Sequence, residues 1–226
     1  MKPTKEYNGR SRIRMFNVDN RDFMNKVENN YYDLAICDPE YGLNIAKSGS
    51  LGQDSFNPKN WDNERVKDGS LKDVIRISKN QVLWGYNYYS DLLPPCKGFI
   101  YWNKMNHHDN RSDGELAWTS FNKLSRHFEY MWDGNRYGFK NGKINGVGQP
   151  TIRIHPTEKP QALYKWLLKN YAEEGQTIFD GWGGSMSIAI ACWDLGFDLD
   201  ICELDTDYFN DAVKRFEQHV AQGQLF

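Results

Sequence analysis

A carboxylate, a proline and an aromatic ring follow directly on an apolar run. Leu34-Ala35-Ile36-Cys37 gives way to Asp38-Pro39-Glu40-Tyr41. The run reads as a buried strand, and in open α/β sheets ligands bind beyond the carboxyl ends of strands. An acid at that position accepts hydrogen bonds from a substrate amine. Pro39 stiffens the turn and exposes its neighbours' carbonyl groups. Tyr41 offers a flat face on which a flipped-out base can stack. Alone, the same residues also fit a plain strand-to-loop turn.

A second constellation lies far downstream. Ile178-Phe179 form a short strand ending at Asp180, and Gly181, Gly183 and Gly184 make a loop that a ligand can approach closely. Ser185 is placed to cap a helix through Ile188 to Ala191 that stops near Gly196. The next strand ends on Glu203, roughly 20 residues past the loop, the spacing at which an acidic side chain holds ribose hydroxyls. Asp205 is the next acid along. This is a strand, glycine loop, helix, strand and acid for a nucleoside ligand. Its ordinary alternative is a βαβ crossover with a glycine turn.

Together the two halves resemble an S-adenosylmethionine-dependent DNA amino-methyltransferase. Asp38-Pro39-Glu40-Tyr41 resembles that family's Asp-Pro-Pro-Tyr signature, and Asp180 to Ser185 resembles its cofactor loop, Asp-Pro-Phe-x-Gly-Ser-Gly. His155-Pro156-Thr157-Glu158-Lys159-Pro160 resembles the His-Pro-Thr-Gln-Lys-Pro element that precedes the loop. The catalytic signature comes first and the cofactor loop last, the order of the β group, and the likeness spans roughly residues 12–217. It implies that Asp38, Pro39 and Tyr41 handle the flipped base. It also implies that Thr157, Lys159, Asp180, Gly181, Gly183, Gly184, Ser185, Glu203 and Asp205 hold S-adenosylmethionine. No metal is implied.

Asp at the first signature position favours adenine, whose exocyclic amine in double-stranded DNA is the implied methyl acceptor. Cytosine N4 methylation stays open, as does a DNA-binding relative without turnover. Two departures motivate the last reading. Glu40 stands where the family has a second proline, and two close carboxylates tend to share a proton. Met186 replaces the last glycine of the loop and is expected to fill space meant for the cofactor.

The remaining elements must position these residues. The expectation is an α/β, doubly wound, mostly parallel sheet with helices on both faces, formed by residues 1–226 as one domain. Strands are expected at Arg12 to Val18, Gln81 to Gly85 and Gly98 to Trp102. Helices are expected over 64–77, Gly114 to Phe121, Lys159 to Tyr171 and Asp207 to Val220. Residues 42–60 read as a lid or substrate loop. Trp84, Gly85 and Asn87 either line the pocket or simply end a strand, and His155 fits a structural turn residue.

The chain has 226 residues with 39% hydrophobic and 15% aromatic content, and its net charge is −2. It is therefore no general nucleic-acid magnet, and DNA contact must come from a local patch. Residues 121–154 supply one, with six basic residues (Lys123, Arg126, Arg136, Lys140, Lys143, Arg153) against two acidic ones. Tyr130, Trp132, Tyr137 and Phe139 interleave, which suits DNA docking as a short recognition insertion; a solvated hairpin is the bland alternative. Arg136, Lys140 and Lys143 are the named contacts. Cys37, Cys96, Cys192 and Cys202 lack metal-like spacing and read as reduced thiols of a cytoplasmic protein. His107-His108-Asp109 reads as a polar loop rather than a metal site. No apolar run spans a membrane and no leader is visible. Gln222, Leu225 and Phe226 resemble a sliding-clamp docking peptide, or else a frayed tail.

Overall fold

The computed structural model describes residues 1–43, 63–105, 112–132, 137–138 and 154–223. A nine-stranded mixed sheet runs through it, with a parallel centre and antiparallel pairings on both sides of it. The strands are β1 (Lys5–Asn8), β2 (Arg12–Asn17), β3 (Tyr32–Cys37), β4 (Ser78–Trp84), β5 (Phe99–Asn103), β6 (Gly114–Thr119), β7 (Arg126–Glu129), β10 (Thr177–Asp180) and β11 (Asp198–Glu203). Their order is β1-β2-β11-β10-β3-β4-β6-β5-β7. β8 (Met131–Trp132) and β9 (Tyr137–Gly138) form a separate hairpin.

Alternation along the strands creates two cores. On β3, Leu34 and Ile36 face one side with Ile13, Ile178 and Ile201, while Ala35 and Cys37 face the other with Phe16, Phe179 and Cys202. The first side is covered by α4 (Gln161–Tyr171), α5 (Ser187–Leu195) and α6 (Thr206–Gly223). The second is covered by α1 (Asn20–Met24), α2 (Asp68–Ile77) and α3 (Tyr86–Tyr89). Leu163 and Leu167 of α4 and Leu71 and Val74 of α2 recur at helical spacing and are fully buried. Each such burial stabilises by about 1.5–3 kcal/mol. From Ile188 to Cys192 every residue of α5 is buried, as expected of a helix that is apolar all round.

The sheet is doubly wound, as the sequence implies. From β3 the chain steps outward to β4, and from β10 it steps the opposite way to β11. The switch point therefore lies between β3 and β10, which pair in parallel through Ile178↔Leu34 and Phe179↔Ala35. A crevice opens there, at the carboxyl ends. Asp38 and Asp180 stand at its two sides.

Most expected elements form where the pattern puts them, with one clear correction. Gly114 to Phe121 was expected to be helical, and Gly114–Thr119 is instead strand β6. Its Glu, Leu and Ala favour helix locally, but pairing to β4 (Leu83↔Trp118) and β5 (Ile100↔Ala117) overrides propensity. β1 and β7, the sheet's edges, carry no marked pattern in sequence. Exposed Arg126 and His127 keep the β7 edge polar. Among the described residues, no helix is long and apolar enough to cross a membrane. The 42–60 loop beyond Leu43, His107-His108-Asp109, Leu225 and Phe226 lie outside the described residues. Gln222 sits in the last turns of α6 rather than on a free tail.

Candidate active site

A cavity of about 830 Å³ fills the crevice. Asp38, Pro39, Glu40 and Tyr41 line one side; Gly181 to Ser185, Glu203 and Asp205 line the other; Thr157 and Lys159 lie between them. All the residues assigned to the base and the cofactor except Asp180 thus face one space. Asp180 lies at the end of β10 and is only 1% exposed.

The β3 turn is held by charge. Asp38 receives the Tyr41 hydroxyl on Oδ1 at 2.5 Å and the Lys159 ammonium on Oδ2 at 2.5 Å. Lys159 also reaches Glu115 Oε2 at 3.0 Å, and Glu115 receives Lys104 on its other oxygen. Burial pushes the Asp38 carboxyl up and outweighs the opposing pull of Lys159, with Glu115 adding to the rise. For Glu115 burial is overcome by the Lys159 and Lys104 ammonium groups, which hold it down at about 2. Of the two carboxylates, Glu115 is the one that stays firmly ionised. For Lys159 burial works against the charge, but Asp38 and Glu115 win and the ammonium is held. The lysine that the resemblance assigns to the cofactor therefore belongs, in this geometry, to Asp38.

Tyr41 is fixed from behind. One face stacks on Tyr88, with centroids 4.8 Å apart. Its ring edge lies against Gly85, whose φ is +82°; a Cβ there would sit 2.1 Å from the ring. Glycine is required at that position twice over, by conformation and by space. Trp84, fully buried, lies 5.5 Å beneath the Lys159 ammonium. Trp84 and Gly85 thus support the site from below, while Asn87 is exposed and takes no part.

Both departures from the family pattern have a place. Glu40 does not crowd Asp38: its Oε2 accepts the indole N–H of Trp182 at 2.8 Å. The carboxylate that shares the Lys159 ammonium with Asp38 is Glu115. Met186 does not enter the cavity either. It is 1% exposed, lies in the core beneath α4 to α6, and keeps a left-handed backbone with φ 52°. Met186, not Ser185, is the N-cap residue of α5. The Ser185 hydroxyl instead meets that of Ser187 at 3.1 Å.

The loop fits a nucleoside cofactor. At Gly183 a Cβ would come within 3.0 Å of the Cys202 carbonyl, so the backbone lies flat against β11. Glu203 accepts the Gly184 N–H and the Asp205 N–H, each at 2.7 Å, so it closes the loop as well as facing the cavity. Asp205 uses Oδ1 to cap α6 through the N–H groups of Asp207 and Tyr208. Asp180 Oδ1 accepts the Trp182 N–H at 2.9 Å, while its Oδ2 is buried with no partner among the described residues. Burial raises the Asp180 carboxyl well above the usual range. An unpartnered buried acid is costly and calls for a cationic or donor partner.

The turn before α4 is set by its own side chains. The Thr157 N–H approaches His155 Nδ1 at 3.4 Å, and the His155 ring packs edge-on against Tyr208. Glu158, where the family has Gln, pairs with Arg215 at 3.0 Å. Arg215 also donates to the Ser185 carbonyl, clamping turn and loop together. Sequence reasoning missed Glu115, Lys104, Trp182, Arg215 and Asn20, whose amide donates to the Gly181 carbonyl. A glutamate opening an apolar run, Glu115-Leu116-Ala117-Trp118, was the one signal available.

The basic segment is only partly placed. Arg136, Lys140, Lys143 and Arg153 lie outside the described residues. Lys123 is exposed, but its ammonium is already engaged within the protein. It donates to the Asn170 carbonyl and lies over the Phe121 and Tyr171 rings.

This arrangement defines an α/β methyltransferase site, and the comparisons agree. The model of the DNA methylase family matches residues 69–214, and the chain belongs to that family of N6 and N4 methyltransferases, which use S-adenosylmethionine. The matched stretch takes in Lys159, the loop and Glu203 but begins after Asp38. Type II methyltransferase M2.DpnII of Streptococcus pneumoniae is 26% identical, covering 95% of this chain and 93% of that protein. The M1.HpyAVI–SAM complex superposes with a TM-score of 0.56 at 20% identity, covering 90% and 98% of the two chains. PvuII DNA methyltransferase (cytosine-N4-specific) gives 0.58 at 12% identity, covering 92% and 90%.

Proposed function

We propose that the protein methylates the exocyclic N6 amine of adenine in double-stranded DNA, as the modification enzyme of a restriction-modification system. One observation carries the reading: Asp38, on a turn braced by Tyr41 and Lys159, opens onto the same cavity as the glycine loop and Glu203. S-adenosylmethionine supplies an electrophilic methyl group. Glu203 and the Gly183–Gly184 backbone hold its nucleoside end, Asp180 Oδ2 meets its ammonium, and Thr157 lines the space between.

Asp38 and the Pro39 carbonyl accept the two N–H groups of the flipped adenine. This turns the nitrogen lone pair toward the methyl group and stabilises the positive charge that builds on nitrogen. The Tyr41 ring, backed by Tyr88, provides the stacking surface. Flipping costs a few kcal/mol of unstacking. Arg136, Lys140 and Lys143 of the 121–154 insertion contact phosphates of the duplex. The whole chain acts as one domain.

Mass spectrometry of nucleosides from DNA of expressing cells tests the reading. N6-methyladenine should appear with the wild type and vanish with Asp38→Ala. N4-methylcytosine in its place would move the substrate to cytosine, and neither product would leave a binding protein without turnover. Glu40 and Met186 no longer favour that last outcome, since neither obstructs the cavity.

A further inference from the structure

The buried charges around Asp38 do more than fix a turn. Asp38 and Lys159 alone would form a neutral pair, with nothing left to stabilise a cation. Methyl transfer places positive charge on the nitrogen bound to Asp38, and an ammonium 2.5 Å from the same carboxylate opposes it. The side chain of Lys159 is 3% exposed, so water screens little of that opposition.

Glu115 changes the sum. It lies on β6, a strand that adds to the sheet beyond β4, and projects its carboxylate to within 3.0 Å of the same ammonium. With both acids ionised, Asp38, Lys159, Glu115 and the Lys104 paired to Glu115 sum to zero, whereas without Glu115 the remaining three would carry one net positive charge. Lys104, on the far oxygen of Glu115, is the more exposed of the two lysines, at 20%. It anchors Glu115 and lies on the side away from Asp38.

We propose that Glu115 is a positioning residue for methyl transfer, holding the Lys159 ammonium so that the Asp38 carboxylate is free to stabilise the cationic amine. The inference rests on Asp38 being the acceptor of the target amine. Glu115 is not among the residues lining the cavity; it acts through Lys159, with the Tyr41 hydroxyl also 3.5 Å from its Oε2. Lys159 has three acceptors within reach, Asp38, Glu115 and the Tyr41 hydroxyl at 3.3 Å, and a small rotation toward Glu115 turns a shared ammonium into one paired mainly with Glu115.

Steady-state kinetics on duplex DNA, with cofactor binding followed by calorimetry, test the role. Glu115→Gln keeps the shape and removes the charge. Its kcat should fall by about tenfold or more, the scale of a lost transition-state electrostatic contact. S-adenosylmethionine affinity and stoichiometry should stay at the wild-type values, which also counts the folded sites. Glu115→Asp should restore part of the rate. On a Lys159→Met background, Glu115→Gln should add no further loss, because the two act as a unit. An unchanged kcat in Glu115→Gln overturns the inference while leaving the Asp38 reading intact. So does a loss that only tracks a fall in cofactor stoichiometry, or equal losses on both backgrounds. A wild type that binds cofactor but methylates no DNA overturns the Asp38 reading and this inference with it.

Discussion

The Trp182 indole N–H donates to Glu40 Oε2 across 2.8 Å, joining the glycine loop after β10 to the turn after β3. Each partner departs from the family pattern, which has phenylalanine in the loop and proline in the turn. Phenylalanine needs no acceptor and proline offers no side-chain acceptor. Here the two substitutions complement each other, and they fall on opposite walls of the cavity.

Glu40 should therefore help hold the cofactor loop. Glu40→Gln keeps an acceptor and should bind S-adenosylmethionine like the wild type. Glu40→Ala leaves the indole unpaired and should weaken binding severalfold, consistent with about 0.5–1.5 kcal/mol for one hydrogen bond. Trp182→Phe should make the two Glu40 variants equivalent. Calorimetry on the wild type, the two Glu40 variants, and the same three on the Trp182→Phe background reads this directly, and equal affinity throughout would remove Glu40 from the cofactor side. The same test replaces the sequence-based expectation that Glu40 burdens Asp38.

Asp180 should make cofactor binding release a proton. Burial raises its carboxyl well above the usual range, so the free protein holds it protonated to a higher pH than an exposed acid. An ammonium placed against Oδ2 favours the ionised form and lowers that pKa. Affinity should then rise with pH until Asp180 ionises unaided. Titrations in buffers of different ionisation enthalpy should give different apparent heats. Asp180→Asn should abolish the difference and cost about 1.5–3 kcal/mol of affinity, the range for a charged hydrogen bond. Buffer-independent heats in the wild type would place the ammonium elsewhere.

The two ends of the crevice were legible because each is local. An apolar run followed by Asp38-Pro39, and a glycine loop followed by Glu203, are written in consecutive residues. Lys159 was legible as a residue, but its pairing with Asp38 was not. Only the fold shows that the turn before α4 brings it to Asp38 rather than to the loop. Glu115 was out of reach because β6 becomes a strand only when β4 and β5 pair with it on either side. The Trp182–Glu40 and Arg215–Glu158 contacts were hidden for the same reason, since their partners meet only across the sheet's connections.

Met186 should matter for stability and not for cofactor binding. A left-handed backbone costs an L-residue roughly 1–2 kcal/mol, which Met186→Gly would relieve. The same change removes a side chain that is 1% exposed. Truncating a buried Met to Ala costs about 2–5 kcal/mol, so packing should outweigh strain and the glycine variant should melt lower. S-adenosylmethionine affinity at a temperature where both proteins are folded should be unchanged. A variant that gained affinity would show that the methionine does reach the cavity.

DNA binding should depend on the basic segment and salt in a countable way. If Arg136, Lys140 and Lys143 contact phosphates, neutralising all three should weaken duplex affinity. Each lost contact should also flatten the slope of log affinity against log salt by about 0.9. Lys123 makes a control, because its ammonium is committed to the Asn170 carbonyl and two rings. Lys123→Gln should lower stability and leave the salt slope unchanged. Cofactor affinity should be unaffected in the triple variant, because the glycine loop and Glu203 are untouched. Titrations of one duplex at several salt concentrations read all three quantities. Parallel lines of equal affinity for wild type and triple variant would make the 121–154 segment a solvated hairpin and move the DNA surface to the loop that follows Tyr41.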